Sequence, residues 1–257
     1  MNHITSKDNP AVKSIRRLTK ESGGYRKQGQ YWVEGEHLCR AALHKGIEPV
    51  QVVLCESLWQ TEGEDWISSP GQVLVMPDAL FDSLSGLESP GKVGLVIHWE
   101  GPGQIISKQP SVILDQLQDA GNVGAILRCA GAFGFRQVIA LQGSAALWSH
   151  KVLRAAMGAH WGLHLVEGAN LEDLDQLGLP LVATSSHEGP FLHELASRGM
   201  LPKVCGWVMG HEGQGVRQAL MDRATLQVRI AQPGGEESLN VATAAAICLH
   251  ASATAGL

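Results

Sequence analysis

The sequence has no C-x-x-C pair. Its five cysteines, Cys39, Cys55, Cys129, Cys205 and Cys248, are odd in number and stand far apart. That excludes the usual zinc-ligand spacings and a fully paired disulfide framework. No G-x-G-x-x-G follows any strand-like run, so the glycine turn of a Rossmann dinucleotide site is missing. G-x-S-x-G and H-E-x-x-H are also absent. His160 and His164 stand four apart without a third ligand and are read as core or surface histidines. Met1 to Asp8 hold no apolar run of signal-peptide length. The most apolar stretch, Leu239 to Leu257, is interrupted by Asn240, Thr243, His250, Ser252 and Thr254. A spanning helix needs roughly 20 predominantly apolar residues, so this stretch predicts an alanine-rich buried helix. A cytoplasmic protein without a metal or a membrane anchor is expected.

What is present is a chain of 257 residues, 44% of them hydrophobic and 18% charged. That length suits one large domain or two modest ones with a real core. The net charge of −5 hides an asymmetry. Residues 1–46 hold nine Lys/Arg against four Asp/Glu, whereas the remaining 211 hold eleven against twenty-one. A basic front end on an acidic body suggests either that a polyanion is gripped locally or that a solvated surface carries charge scattered by chance.

Periodicity divides the chain in two. Asn9-Pro10 reads as a cap followed by proline at the first helical position, opening a helix through Val12, Ile15 and Leu18. Strands are expected near 30–33, 50–54, 72–76 and 93–98, with helices at 36–44 and 78–84. This is a small α/β unit over residues 1–99. Residues 100–110, rich in Gly and Pro, read as a linker. Over 111–257 the alternation restarts. Strands are expected at 112–114, 137–141, 163–166, 181–184, 204–209 and 226–230, and helices at 123–132, 151–157, 171–177, 215–222 and 239–252. Apolar runs such as Val112 to Leu114 suit a parallel sheet covered on both faces.

One motif misleads. Gly86 to Val93 matches a phosphate-binding loop except that Val93 replaces the hydroxyl residue that would ligate magnesium, and Lys92 leads into a strand rather than a helix.

Three other segments place glycines and polar groups where open α/β sheets hold ligands, at the carboxyl ends of strands. In the first, Ile113 to Gly134, a strand ends and a glycine-bracketed turn carries Asn122 into a helix. Arg128 follows beside the small residues Gly124 and Ala125. In the second, Val208 to Val216, three glycines in six positions let the backbone approach a ligand, and Glu212 caps the next helix or bonds that ligand. In the third, Ile230 to Ala242, Ser238 reads as the N-cap of the alanine-rich helix, and a buried-looking Ser238-Leu239-Asn240 presents donors.

The order, spacing and wording of these segments resemble the SpoU-type (TrmH-like) branch of the SPOUT trefoil-knot methyltransferases. Ser238 to Val241 closes the set. Leu181 to Ser185, Lys151 to Ala159, Ser6 to Pro10 and Trp32 to Glu36 are also similar, so the resemblance covers nearly the whole chain. The sequence departs from the family at Ala120, Cys129, His150, Ala156, His211, Ala231 and Gln232, which bears on loop shape and substrate fit.

The resemblance implies an α/β protein. Its C-terminal trefoil-knot methyltransferase domain would follow a smaller, ribosomal-protein-like N-terminal domain that binds substrate. It implies S-adenosylmethionine as cofactor and the ribose 2′-hydroxyl of RNA as acceptor, with ribosomal RNA favoured over transfer RNA. A catalytically weak RNA-binding paralogue is the alternative from another class. Catalytic roles fall on Asn122, Arg128, Glu212, Ser238 and Asn240. Cofactor contacts fall on Thr184, Gly210, Ile230, Ser238, Leu239 and Asn240. Arginine stays protonated at physiological pH, so Arg128 is expected as a phosphate clamp that lowers the hydroxyl's proton affinity, rather than as a base. RNA contacts are expected from Lys7, Lys13, Arg16, Arg17, Lys20, Arg26, Lys27 and Arg154. Family members are homodimers, and the small side chains of residues 239–255 suit a dimer seam.

Overall fold

The computed structural model describes residues 1–67, 71–86, 89–185, 188–234 and 238–255. In chain order the elements are β1 (Asn2–His3), α1 (Pro10–Lys20), α2 (Gly24–Gln28), β2 (Gln30–Glu34), α3 (Glu36–His44), β3 (Pro49–Cys55), α4 (Glu56–Ile67), β4 (Gln72–Met76), α5 (Asp78–Asp82) and β5 (Val93–His98). They continue with β6 (Ser111–Leu114), α6 (Ala120–Ala132), β7 (Gln137–Leu141), α7 (His150–Ala156), β8 (His164–Ala169), β9 (Leu181–Thr184), α8 (Leu192–Ser197), β10 (Gly206–Met209), α9 (Gln218–Met221), β11 (Leu226–Val228) and α10 (Val241–Thr254). Short 3₁₀ turns occupy Ala159–Gly162 and Glu172–Leu177. No helix among the described residues is long and apolar enough to cross a membrane.

The chain forms two compact units. The first comprises residues 1–101 together with 148–161, and the second 102–147 with 162–257.

Unit one is a five-stranded sheet in the order β1-β4-β3-β5-β2. β4 runs parallel to β1 and β3, while β5 is antiparallel to β3 and β2. α1 forms as expected. Asn9 accepts from the Ala11 N–H at 2.9 Å, Pro10 takes the first turn, and Val12, Ile15 and Leu18 are buried. Such a cap stabilises a helix by about 1 kcal/mol. α3 follows Gly35, its N-cap residue, whose φ of +97° favours a residue without a Cβ. The segment 148–161 packs into this unit through aromatic contacts. Trp148 lies 4.7 Å from the Tyr31 ring, and the Trp161 indole N–H donates to the Tyr31 hydroxyl at 3.1 Å. Burial pushes the Tyr31 hydroxyl up to about 12, against the lowering effect of the Trp161 bond.

Glu34 holds the same segment from within. Its side chain is fully buried. Oε1 accepts from the Ser85 hydroxyl at 2.5 Å and the Gly91 N–H at 3.1 Å. Oε2 accepts from the Trp32 indole at 3.3 Å and faces His150 Nε2 at 3.4 Å. Burial works to raise this carboxyl, but the contacts from His150, Ser85 and Gly91 outweigh it and hold the group below its ordinary value of 4.5.

Unit two is a six-stranded sheet, β11-β9-β10-β6-β7-β8, in which every pairing is parallel. Its core gathers Ile113, Ile139, Val166, Leu181 and Val208 with Leu174, Leu177 and Leu220. Burying an aliphatic side chain of this kind contributes roughly 1.5–3 kcal/mol. α10 buries Ala245, Cys248, Leu249 and Ser252, and the Ser252 hydroxyl accepts from the buried Trp207 indole at 2.9 Å.

Four sequence expectations change. α6 starts at Ala120, so Asn122 sits inside its first turn rather than in a preceding loop; the Asp119 side chain supplies the cap at Asn122 N–H, 2.7 Å. Residues 172–177 form a 3₁₀ helix. The helix expected at 215–222 shrinks to Gln218–Met221 because Gly210 to Gly215 form a tight loop. Finally, α10 is capped by Asn240, whose Oδ1 accepts from the Ala242 and Thr243 N–H groups; Ser238 does not cap it, and Ser238, Leu239 and Asn240 are exposed. Residues 235–237 of that loop lie outside the described residues. Lys92 leads into β5, which is not the context of a phosphate-binding loop.

Candidate active site

Parallel pairing decides where the polar segments meet. Because β11, β9, β10 and β6 are neighbours running the same way, their carboxyl ends share one edge of the sheet. Along that edge Ile230 follows β11, Thr184 ends β9, Gly210 follows β10 and Asp115 follows β6. All three polar segments singled out in the sequence therefore arrive at one rim.

There they are joined by side chains. Asn240 Nδ2 donates to Asn122 Oδ1 at 2.9 Å, and Asn122 Nδ2 donates to Glu212 Oε1 at 3.2 Å. The same Glu212 oxygen accepts from the Asp119 N–H at 3.2 Å. Asn122 is thus oriented at both ends, its oxygen towards an amide donor and its nitrogen towards a carboxylate. Partial burial raises the Glu212 carboxyl, but hydrogen bonds from its own N–H, the Asn122 amide and the Asp119 and Gln118 N–H groups hold it below the ordinary range. At neutral pH it is an anion that accepts hydrogen bonds, not a proton store.

Arg128 lies six residues beyond Asn122 on α6, about 9 Å along the axis. It is exposed and forms none of the ion pairs found among the described residues.

The loop after β10 is tightly closed. His211 and Gly215 exchange backbone hydrogen bonds at 3.0 and 2.9 Å. A Cβ on Gly210 would stand 2.2 Å from the Gly215 carbonyl carbon and the Val216 nitrogen. Only glycine permits that approach. Asp115 and Arg217, which no sequence motif marks, lock this loop from behind. Asp115 is fully buried, its Oδ2 accepts from the Arg217 N–H at 2.8 Å, and its Oδ1 accepts from Arg217 Nε at 2.6 Å. A carboxylate directly after the apolar run Val112 to Leu114 was the available signal, since a buried charge demands a partner.

Other expected residues are placed more loosely. Thr184 is half-buried, with Oγ1 3.4 Å from the Val208 carbonyl, and Ile230 is half-buried. Ser238 is exposed outside the hydrogen-bonded chain. Of the basic residues, Lys7, Lys13, Arg17, Lys20, Arg26 and Lys27 are exposed on unit one and Arg16 is half-buried. Lys13 pairs with Asp8 at 3.0 Å, and Arg26 lies over the Tyr25 ring. Arg154, on α7, also belongs to unit one. No group of three His, Cys, Asp or Glu side chains suited to a metal occurs among the described residues.

Residues 109–250 match the model of the SpoU rRNA Methylase family. The chain belongs to that family. Residues 9–94 match a second model, the MRM3-like substrate binding domain. Over 97% of its length the chain is 29% identical to the 23S rRNA (guanosine(2553)-2′-O)-methyltransferase RlmP of Bacillus subtilis, covering 98% of that protein. It is 30% identical to an uncharacterized tRNA/rRNA methyltransferase of Synechocystis, covering 96% of this chain and 92% of that protein. Among solved structures, an AdoMet-bound rRNA methyltransferase from Sinorhizobium meliloti superimposes with a TM-score of 0.83 at 25% identity, over 100% of this chain and 98% of that one. The SpoU match contains Asn122, Arg128, Glu212 and Asn240. It also contains Arg154, although the segment 148–161 clusters with unit one.

Proposed function

We propose that this SpoU-family chain methylates a ribose 2′-hydroxyl of ribosomal RNA with S-adenosylmethionine, working as a cytoplasmic homodimer with a trefoil-knotted catalytic domain. The observation that carries the reading is the bonded chain Asn240–Asn122–Glu212, which unites three separate segments at one sheet edge. The RlmP likeness supports the ribosomal substrate, and the AdoMet-bound Sinorhizobium structure supports the cofactor.

The residues present fit that cofactor. Gln232, two positions past Ile230, buries its side-chain oxygen without a hydrogen-bond partner among the described residues, an acceptor suited to the amine donors of S-adenosylmethionine. Backbone groups of Gly210, Ile230 and Leu239 would hold adenine and ribose, with Thr184 and Ser238 alongside. When bound, the cofactor supplies an electrophilic methyl and a neutral thioether leaving group. The protein's task is then alignment and electrostatics. Asn122, held by Glu212 and Asn240, orients the acceptor ribose, and Arg128 clamps the adjoining phosphate in the bidentate manner of guanidinium. The positive charge beside the hydroxyl lowers its proton affinity, and the released proton passes to solvent water.

The basic face of unit one, from Lys7 to Lys27 with Arg154, supplies phosphate contacts of little sequence content, leaving specificity to RNA shape. For the dimer, α10 lines an open groove of about 660 Å³ with Ala246, Ile247 and Ala251, faced by Phe133 and Leu192. Ile247 is 38% exposed there, and small neighbours favour close packing of a second copy.

The test is transfer of tritiated methyl to ribosomal and transfer RNA from cells lacking the gene, followed by mapping of the missing 2′-O-methyl group. Label in ribosomal RNA is expected. Label confined to transfer RNA would move the substrate, and no transfer to either would leave an RNA-binding paralogue.

A further inference from the structure

We infer that unit one holds a pocket for one unstacked nucleotide of the substrate RNA, between the start of α3 and one face of α7. The inference rests on the RNA-methyltransferase proposal above. The pocket is a cavity of about 610 Å³. That lies within the range of small-ligand sites, roughly 300–1,000 Å³.

Its lining divides by chemistry. Leu38, Ala155 and Met157 give it an apolar surface, and Met157 is 49% exposed although nothing polar recommends it to water. A flat base face suits such a surface, because RNA recognition relies on bases drawn out of the stack. At the wall, α3 starts without a side-chain cap. Its first helical bond runs from the Cys39 N–H to the Gly35 carbonyl at 2.9 Å. The N–H groups of Glu36, His37 and Leu38, all on the cavity, therefore lack helical acceptors and favour an anion. Lys151 and Arg154 line the cavity from one face of α7, three residues apart. Both are exposed and form none of the ion pairs among the described residues.

Among the described residues, the acidic groups that line the cavity are already engaged. Glu34 accepts from Ser85, Gly91 and Trp32 and faces His150, while Glu36 is held by Arg40 Nε at 2.8 Å. Among the described residues the available charge is positive, and it stands beside the apolar surface of Leu38, Ala155 and Met157. An inorganic anion would use only the first of these features, whereas a nucleotide uses both.

Three full-length variants test this with in vitro transcribed 23S ribosomal RNA. Lys151→Ala/Arg154→Ala removes the charges, Ala155→Trp fills the cavity, and Arg198→Ala/Lys203→Ala removes equal charge from exposed sites in unit two. Filter binding over a range of KCl, cofactor titration calorimetry and thermal midpoints are read for each. The first variant is expected to bind RNA about tenfold more weakly and to lower the salt slope by about 1.4, the single-strand value for two phosphates. Ala155→Trp is expected to weaken RNA binding several-fold at an unchanged cofactor Kd, and the control pair to bind as wild type. If only the charge variant weakens binding, the contact is with the surface and the pocket is refuted. It is equally refuted if both variants bind as wild type at normal midpoints. Should Ala155→Trp fail to fold, Met157→Trp at the exposed edge takes its place. Wild-type protein that methylates no ribosomal RNA would instead overturn the parent proposal, a result separate from any of these.

Discussion

Asn122 and Asn240 stand 118 positions apart in the chain and meet through one hydrogen bond of 2.9 Å. The first lies in the opening turn of α6 and the second caps α10. A side chain that caps a helix is fixed by its own backbone, so Asn240 is a rigid arm for positioning Asn122.

Asn122→Ala should therefore disrupt alignment more than folding. Methyl transfer is expected to fall roughly a hundredfold, the scale of losing one preorganised hydrogen-bonding group. The thermal midpoint should move little, since a half-exposed hydrogen bond contributes only about 1 kcal/mol. Single-turnover transfer and differential scanning calorimetry separate the two.

Arg128→Lys keeps the charge but removes the planar fork. We expect kcat/KM for RNA to drop at least tenfold, about 1.4 kcal/mol, with cofactor affinity unchanged. Near-full turnover in this variant would refute the bidentate clamp.

Glu34 gives a pH dependence with a definite sign. Its carboxyl titrates lower in the folded protein than the ordinary value of 4.5. The unfolded chain therefore binds the proton more readily, and acid favours unfolding. The stability contributed by Glu34 is complete above the ordinary value and is lost as pH falls through the depressed one. Thermal midpoints from pH 7 downward should show this acid-side loss. Glu34→Gln should lower the plateau by about 2 kcal/mol, the scale of a charged hydrogen bond, and flatten the acid limb. Equal limbs for variant and wild type would count against the assignment.

Ile247→Asp places a charge in the groove along α10. Light scattering at micromolar concentration is expected to give a dimer mass for the wild type and a monomer mass for the variant. A wild-type monomer would contradict the proposed seam.

Much of the fold was legible because local signals agreed with burial. Asn9-Pro10 announced α1, and the apolar runs 72–76 and 93–98 coincide with β4 and β5. α4 leaves no clear signal in the sequence, since Gly63 and scattered acids obscure its period, and α8, with only six residues, is too short to show one. The cap of α10 was misplaced by two residues. Serine and asparagine share the same chemistry, and Leu239 resembles a first buried position although it is 37% exposed. At the rim, glycine-rich segments after apolar strands marked Asn122, Glu212 and Asn240. The pairs Asp115–Arg217 and Glu34–His150 were not legible, because each joins residues more than a hundred positions apart that no local pattern connects.

The excursion of residues 148–161 into unit one has a practical consequence for anyone recombining these proteins. Exchanging front halves at the glycine-proline segment near 100–110 would graft a foreign surface against Trp148, His150 and Trp161 while removing Tyr31 and Glu34, their native counterparts. A working chimera must transplant two stretches of gene, not one.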